Sequence, residues 1–490
     1  MNRKQGIKAV VFAALFVALF VYVSRVLVAK WTTGNKSTYM ASQYYDVDDN
    51  SIDVCVIGSS QVVYGFSCMA MYDEYGISAY SFGIDNEAML SSYYWLKECE
   101  KSHDISTVVL DISILFEQTH DSYFRKSFDN MKLSMNKIEA MKDRDKIEGS
   151  TGRISYLIPL ELYHDRWKEL TKQDFVLDIE NSLVYRGNVM KYNVLYSDPA
   201  SYLIDDGEIK DVEMVDYQLE YFRKIVEHCR EEQLNLVLIK TPKKSWNRSR
   251  SEAVAALAEE YSLPFLEFNK KELAEAAGIN FATDIQDPDH LNLRGAEKLS
   301  RYVGKYLKEH FEIPDRREDS YNPVDMVRYR QDREDCYLRM TVSVEECLER
   351  LNNERYGVAV QMTDDLSGLW SDSMRKLYRE LGFEQDIAGL EGQNYIGVLA
   401  GGSCVYENSS AEEMSYEGTF SATPFVARSK IGANVREATT LVGEAEEAFG
   451  ARGMNILVYD LARNRIADKI TVYRNAAGDG LQLIHAAVRE

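Results

Sequence analysis

From residue 52 onward, short apolar runs alternate with amphipathic stretches, the signature of strands and helices in turn. Strands are predicted at 52–57, 78–82, 106–112, 234–240 and 264–268, and helices over roughly 66–76, 87–101, 215–232, 251–262 and 293–310. Leu219, Phe222, Val226 and Cys229 recur at helical spacing within the third of these helices. Such alternation implies an α/β fold, a parallel sheet in a three-layer arrangement with helices on both faces. Five strands joined by right-handed crossovers suggest a flavodoxin-like order. The rhythm breaks between the third and fourth strands, where the gap far exceeds what a crossover requires. Residues 116–210 are therefore expected to be an inserted, largely helical cap.

A charge-dense stretch at 313–335 carries two prolines and no apolar period, so it reads as a linker. It would separate an α/β domain over 32–312 from a smaller α/β or α+β domain over 336–490. In the latter, strands are expected near 337–342, 356–362, 394–399 and 454–459, with helices near 344–353 and 366–381.

The N-terminus follows neither pattern. Residues 9–29 are apolar apart from Ser24 and Arg25, long enough to span a bilayer. Arg3, Lys4 and Lys8 precede the run and the first acidic residue is Asp46, so the positive-inside rule leaves residues 1–31 as a cytoplasmic tip and signal anchor, with the bulk of the chain extracytoplasmic. A cleaved signal peptide is the competing reading; against it stand the length of the run and the poor small-x-small site at Leu27-Val28-Ala29.

Charge narrows the partners. The six basic residues among positions 1–45 leave 51 Lys+Arg against 78 Asp+Glu, a net charge near −27 beyond the anchor, which repels nucleic acid. Seven cysteines are scattered without a CxxC pair, and the seven histidines are dispersed, so neither a metal site nor a cofactor is called for. Most cysteines read as small core residues, with Cys336 and Cys347 as the pair to test for a disulfide.

Two stretches carry candidate chemistry. Gly58-Ser59-Ser60 ends the first strand, and "DPDHLNLRGAEKLS" (287–300) precedes the last helix of the same domain. Both would lie at the carboxyl edge of a parallel sheet, where such folds bind ligands. A serine needs a base to take its proton, and a histidine is a useful base when a carboxylate fixes its tautomer. Ser60, His290 and Asp287 supply these three groups. Each half is common by chance; their joint occurrence carries the weight.

Those blocks resemble the SGNH (GDSL-like) hydrolases, and more closely the membrane-anchored bacterial branch with DltD-like and alginate-acetylation-like proteins. The resemblance covers roughly 50–312, including "YHDRW" in the cap and "IKTP" after the fourth strand. It implies Ser60 as nucleophile with Ser59 in the place of the family's aspartate, Asp287 and His290 as its partners, and Gly83 in "YSFGIDN" as a backbone oxyanion donor. The family's G-x-N-D asparagine is absent, since the third strand ends in Asp111-Ile112-Ser113. Asn86 and Ser113 are the candidate substitutes, and Asp111 would repel an oxyanion unless it turns away and hydrogen-bonds the turn. In the cap, His164, Arg166 and Trp167 gather polar and aromatic groups that would either pack the turn or touch substrate.

Residues 336–475 resemble the interleukin-like EMT inducer domain through "YGVAVQMTDDLSGLWSDSMRKLYRELGF", "NYIGVLAGG" and "ARGMNILVYDLARNRIADKITVY". This second resemblance implies a glycan- or partner-binding module, for which Asp364, Asp365, Arg452 and Asn455 are candidate contacts; a purely structural module is the alternative. Together the resemblances imply a membrane-held serine esterase or O-acyltransferase acting on acyl esters of a cell-surface glycan, with a membrane O-acyltransferase as partner. The alternative is a catalytically silent surface protein that binds glycan or partner.

Overall fold

The structure is a computed structural model that describes residues 3–28, 43–129, 131–148, 152–175, 185–204, 207, 210–319, 326–431, 436–447, 449 and 452–486. Its chain divides into two compact units, Met1–Arg330 and Gln331–Glu490.

The first unit opens with α1 (Arg3–Leu27), the one described helix long and apolar enough to cross a membrane. A parallel sheet follows: β1 (Val54–Gly58), β2 (Ala79–Gly83), β3 (Thr107–Asp111), β4 (Asn235–Lys240) and β5 (Phe265–Glu267), in the order β2-β1-β3-β4-β5. This is the flavodoxin-like order expected from the sequence. Strand alternation sorts the side chains to two faces. Cys55, Ile57, Val108, Leu110 and Leu238 pack with α4 (Met89–Cys99), α9 (Asp216–Glu231) and α10 (Arg248–Tyr261). Val54, Val56, Val109, Val237 and Ile239 face α2 (Ser60–Gly65), α3 (Cys68–Tyr75), α11 (Lys271–Ala276) and α12 (Leu293–His310). Both faces are therefore covered, which is why the strands are near-continuous apolar runs.

The long insertion between β3 and β4 holds α5 (Asp121–Phe128), α6 (Met135–Glu148), α7 (Arg153–Leu157), α8 (Leu160–Tyr163) and several 3₁₀ turns. Before α12, β6 (Ile285–Asp287) and β7 (His290–Leu291) form a small antiparallel hairpin.

Residues 326–339, inside the stretch expected to be linker and first strand of the second domain, form helix α13 (Met326–Arg339); the linker positions 320–325 lie outside the described residues. Its buried positions are Tyr329, Asp332, Asp335 and Leu338, a three-residue stripe that is half carboxylate. In the second unit Asp335 pairs with Arg355 and Arg465, and Asp332 with Arg463 and Arg465. A search for apolar period cannot see a face buried through ion pairs.

The second unit is α+β. Strands β8 (Tyr356–Met362), β9 (Asn394–Ala400), β10 (Ser403–Ser410), β15 (Met454–Asp460), β16 (Arg465–Arg474) and β17 (Leu481–His485) form an antiparallel sheet in the order β10-β9-β8-β15-β16-β17. A second sheet, β11 (Met414–Phe420), β12 (Thr423–Ile431), β13 (Arg436–Val442) and β14 (Ala445–Glu447), packs on one face through Phe420, Phe425 and Ala427. Helices α14 (Val344–Leu351) and α15 (Asp372–Glu380) contribute Leu348 and Tyr378 to the core on the other face. The expected helix over 366–381 is thus confined to 372–380.

All seven cysteines are free. The close pair is Cys55 and Cys99, with sulfurs 3.0 Å apart in the core, rather than Cys336 and Cys347. The packing of α4 on β1 decides this contact.

Candidate active site

The geometry begins at the carboxyl end of β1. Gly58 has φ +154°, and a Cβ there would stand 2.4 Å from the Asp111 Cβ, so only glycine lets β1 turn this close to β3. Ser59 then caps α2, its hydroxyl accepting from the Gln61 N–H at 3.3 Å. Ser60 is the first residue of that helix, where the backbone N–H groups have no intrahelical acceptor.

The hairpin before α12 brings the other two groups to Ser60. Its Oγ lies 2.8 Å from His290 Nε2, across 230 residues of sequence. His290 Nδ1 lies 2.9 Å from one oxygen of Asp287 and 3.1 Å from the other. A carboxylate only accepts, so Nδ1 carries the proton and Nε2 presents its lone pair to the serine hydroxyl. Burial pushes the Asp287 carboxyl up, but the hydrogen bond and charge of His290, with the backbone N–H groups of Asp289 and His290, outweigh it and hold the group below the usual range. The Asp289 N–H donates to Asp287 at 2.9 Å, fixing the turn.

Gln61 joins the two halves. Its Nε2 donates to the Asp289 carbonyl at 2.6 Å, while its Oε1 accepts from Thr241 Oγ1 at 2.5 Å and Lys240 Nζ at 3.3 Å. Lys240 is buried at the end of β4, against the Trp246 ring, and also donates to the Thr241 carbonyl. Burial pushes its ammonium down to about 7, with Asp111 opposing. Tyr64, one turn after Ser60, sets its ring edge-on to His290 at 5.0 Å; burial and the carboxylates of Asp85 and Asp287 push its hydroxyl up to about 12. Lys191 Nζ lies 4.9 Å from the centroid of the Tyr64 ring, on a segment of the insertion whose Leu195 N–H donates to the Ile285 carbonyl and whose Asn188 amide donates to the Val62 carbonyl.

Asp111 faces the nucleophile turn. One carboxylate oxygen accepts from the Ser59 hydroxyl at 2.7 Å and the Ser59 N–H at 3.3 Å; the other accepts from the Ser113 hydroxyl at 2.5 Å and the Ser113 N–H at 3.1 Å. The Ser113 hydroxyl proton is thereby committed to Asp111. Asn86 adopts φ +49° and directs its amide to the Gln118 carbonyl at 3.4 Å. Gly83 pairs with Gly58 across the strands, and a Cβ there would meet the Val63 nitrogen at 2.8 Å, so glycine permits α2 to seat against β2.

The remaining candidate residues lie in other settings. His164 Nδ1 contacts the Glu161 carbonyl, Arg166 donates to the Leu27 carbonyl at 2.6 Å and pairs with Asp174, and Trp167 is 64% exposed. This turn packs against the end of α1. In the second unit, Asp365 accepts from the Ser367 N–H and hydroxyl, Asp364 accepts from the Asp365 N–H, Asn455 is buried and accepts from the Thr471 hydroxyl, and Arg452 is exposed.

Sequence reasoning missed Gln61, Tyr64 and the 188–195 segment as site neighbours, and took in Lys240 only as part of the "IKTP" block, with no role. Tyr64 was accessible in principle, since Ser60 plus four residues is the same helical face. The others depend on which strand ends adjoin.

No family model matches the chain, and no curated protein matches it. Among solved structures, a Bacteroides fragilis protein described as a "putative acylhydrolase" aligns at 9% identity and a TM-score of 0.28, covering 57% of this chain and 98% of its own.

Proposed function

We propose that the first unit is a serine esterase or O-acyltransferase of the SGNH type, held at the outer face of a membrane by α1. Its substrates are acyl esters on a cell-surface or cell-wall polysaccharide. The observation that carries this reading is the Ser60–His290–Asp287 chain, with contacts of 2.8 and 2.9 Å at the carboxyl edge of a parallel sheet.

In the mechanism, His290 Nε2 takes the Ser60 proton as Oγ attacks the ester carbonyl, and Asp287 stabilises the imidazolium through Nδ1–H. The tetrahedral oxyanion is met by the backbone N–H groups of Ser60 and Gly83. His290 then returns the proton to the leaving alcohol, leaving an acyl-Ser60. Water or a sugar hydroxyl, deprotonated in turn by His290, attacks this acyl-enzyme and releases Ser60. The resemblance of the chain to membrane-anchored acylation proteins favours the sugar hydroxyl, with a membrane O-acyltransferase supplying acyl groups and the second unit holding glycan.

The test is fluorophosphonate labelling and p-nitrophenyl acetate turnover by the full chain. Labelling at Ser60, with both signals lost in Ser60→Ala, is the expected outcome. A folded wild type that neither labels nor exceeds Ser60→Ala refutes the enzyme reading. Acyl ester content of surface polysaccharide in a deletion strain, higher or lower than wild type, separates hydrolysis from transfer.

One observation favours the second reading, a catalytically silent binding protein. The side chains of Ser113 and Asn86, the candidate replacements for the family's asparagine, are engaged with Asp111 and Gln118. Losing one oxyanion donor costs roughly 10²- to 10³-fold in rate.

A further inference from the structure

The insertion grips the end of α1. Val26, Leu27 and Val28 are buried, whereas most residues before them in α1 are exposed. The covering elements are α8 and the 3₁₀ turns His164–Lys168 and Lys172–Phe175, and Arg166 donates to the Leu27 carbonyl. The same elements, α7 and the Ile158 that follows it expose large apolar side chains. Ile154, Ile158, Leu162, Trp167 and Phe175 are each 45–64% exposed. So many exposed large hydrophobics in neighbouring short elements are unusual for a surface that meets only water.

Helix length places this patch. Counting from Ala9, the first residue after Lys8, a hydrocarbon core of about 30 Å at about 1.5 Å per residue is crossed in about 20 residues. With Lys8 at the inner headgroups, the far edge of the core falls near Val28, so the end of α1 reaches the outer headgroup boundary. Arg25 in the last turn can extend its guanidinium to the same level. Elements packed on Val26–Val28 stand at that depth too, and Trp167 is of the residue type enriched there.

We infer that the apolar patch of Ile154, Ile158, Leu162, Trp167 and Phe175 is a second membrane contact, seated in the interfacial layer of the bilayer that α1 crosses. The inference rests on reading α1 as a membrane anchor. With two attachments, the catalytic unit is held in one orientation to the lipid surface instead of swinging on a single helix. An acyl-transfer site receiving its acyl group from a membrane-embedded donor gains from that constraint, because a fixed orientation removes rotational freedom from the encounter.

The experiment reconstitutes the full chain in phosphatidylcholine–phosphatidylglycerol vesicles and subtracts the emission of Trp167→Phe from that of wild type, isolating Trp167 from the other four tryptophans. Expected are a blue-shifted difference spectrum and loss of roughly half its intensity with lipids brominated near the headgroup, more than with lipids brominated near the chain ends, as an interfacial depth requires. Ile158→Arg/Leu162→Arg, which changes only exposed positions, should weaken that quenching while leaving the melting temperature unchanged. A difference spectrum quenched by aqueous iodide and untouched by brominated lipid overturns the inference while the anchor reading stands. Failure of the protein to float with the vesicles overturns the anchor reading and the inference with it.

Discussion

Replacing Asp111 tests whether its carboxylate serves the nucleophile turn. In Asp111→Ala, the backbone N–H groups of Ser59 and Ser113 and both serine hydroxyls lose their acceptor. The hydroxyls can rotate toward other acceptors, but the two N–H groups cannot, and each stranded donor costs about 1–3 kcal/mol. The expected destabilisation is therefore about 2–6 kcal/mol. Asp111→Asn keeps one acceptor oxygen and presents its amide to the other serine, whose hydroxyl can turn to accept while its N–H is stranded. That change should cost about 1–3 kcal/mol. At about 2.1 cal/mol/K of unfolding entropy per residue, the first unit, Met1–Arg330, shifts by about 1.5 °C per kcal/mol, so Asp111→Asn should lower its melting temperature by about 2–5 °C and Asp111→Ala by about 3–9 °C. Because Ser59 caps the helix that begins with Ser60, the turn should also shift, and a displacement near 1 Å costs about 10²-fold in rate. The assay pairs a calorimetric melt with initial rates on p-nitrophenyl acetate. Asp111→Asn melting with wild type and turning over at wild-type rate would refute the argument; faster turnover would mean that the carboxylate opposes the oxyanion after all.

Asp287→Asn should lower turnover by about 10³- to 10⁴-fold with little change in melting temperature, because the amide no longer selects the Nδ1–H tautomer of His290; stopped-assay rates against wild type check it. Gln61→Leu cuts the link from α2 to the Asp289 carbonyl and should reduce kcat about 10-fold with KM nearly unchanged, as loss of positioning does; equal changes in both constants would contradict that role. Lys240 supplies a pH dependence. Its ammonium falls from 10.5 to about 7 on folding, so the unfolded chain binds more protons between these values and wild-type stability rises with pH across that window. Lys240→Met lacks the term, so its stability relative to wild type should be greatest near pH 7 and decline toward pH 10 in urea melts. A pH-independent difference would count against the buried cation.

The five strands, the covered sheet and the apolar α1 follow from local periodicity, which reports whether each position meets water or core, and the flavodoxin-like order from the handedness of the crossovers. Gly58-Ser59-Ser60 and Asp287-Pro288-Asp289-His290 were likewise readable as candidate chemistry, because a nucleophile and its partners need particular residue types at strand ends. Periodicity fails where burial is achieved by pairing charge, as on the Asp332–Asp335 face of α13. It also missed much of the second unit's β10–β14 region, where strands such as β10 have no buried position and show no apolar alternation.

Tertiary structure alone decided the direction of Asp111. From sequence, a carboxylate two residues before Ser113 could face an oxyanion or the nucleophile turn. The choice depends on β3 lying beside β1 in register, with Gly58 narrow enough to admit it. The contact of Cys55 with Cys99, the bridge from Gln61 to Lys240 and Asp289, and the seating of the 164–168 turn on α1 have the same origin. Each joins groups tens to hundreds of residues apart, so it is set by packing, whereas sequence pattern specifies only the preferences of each group for water, core or a partner.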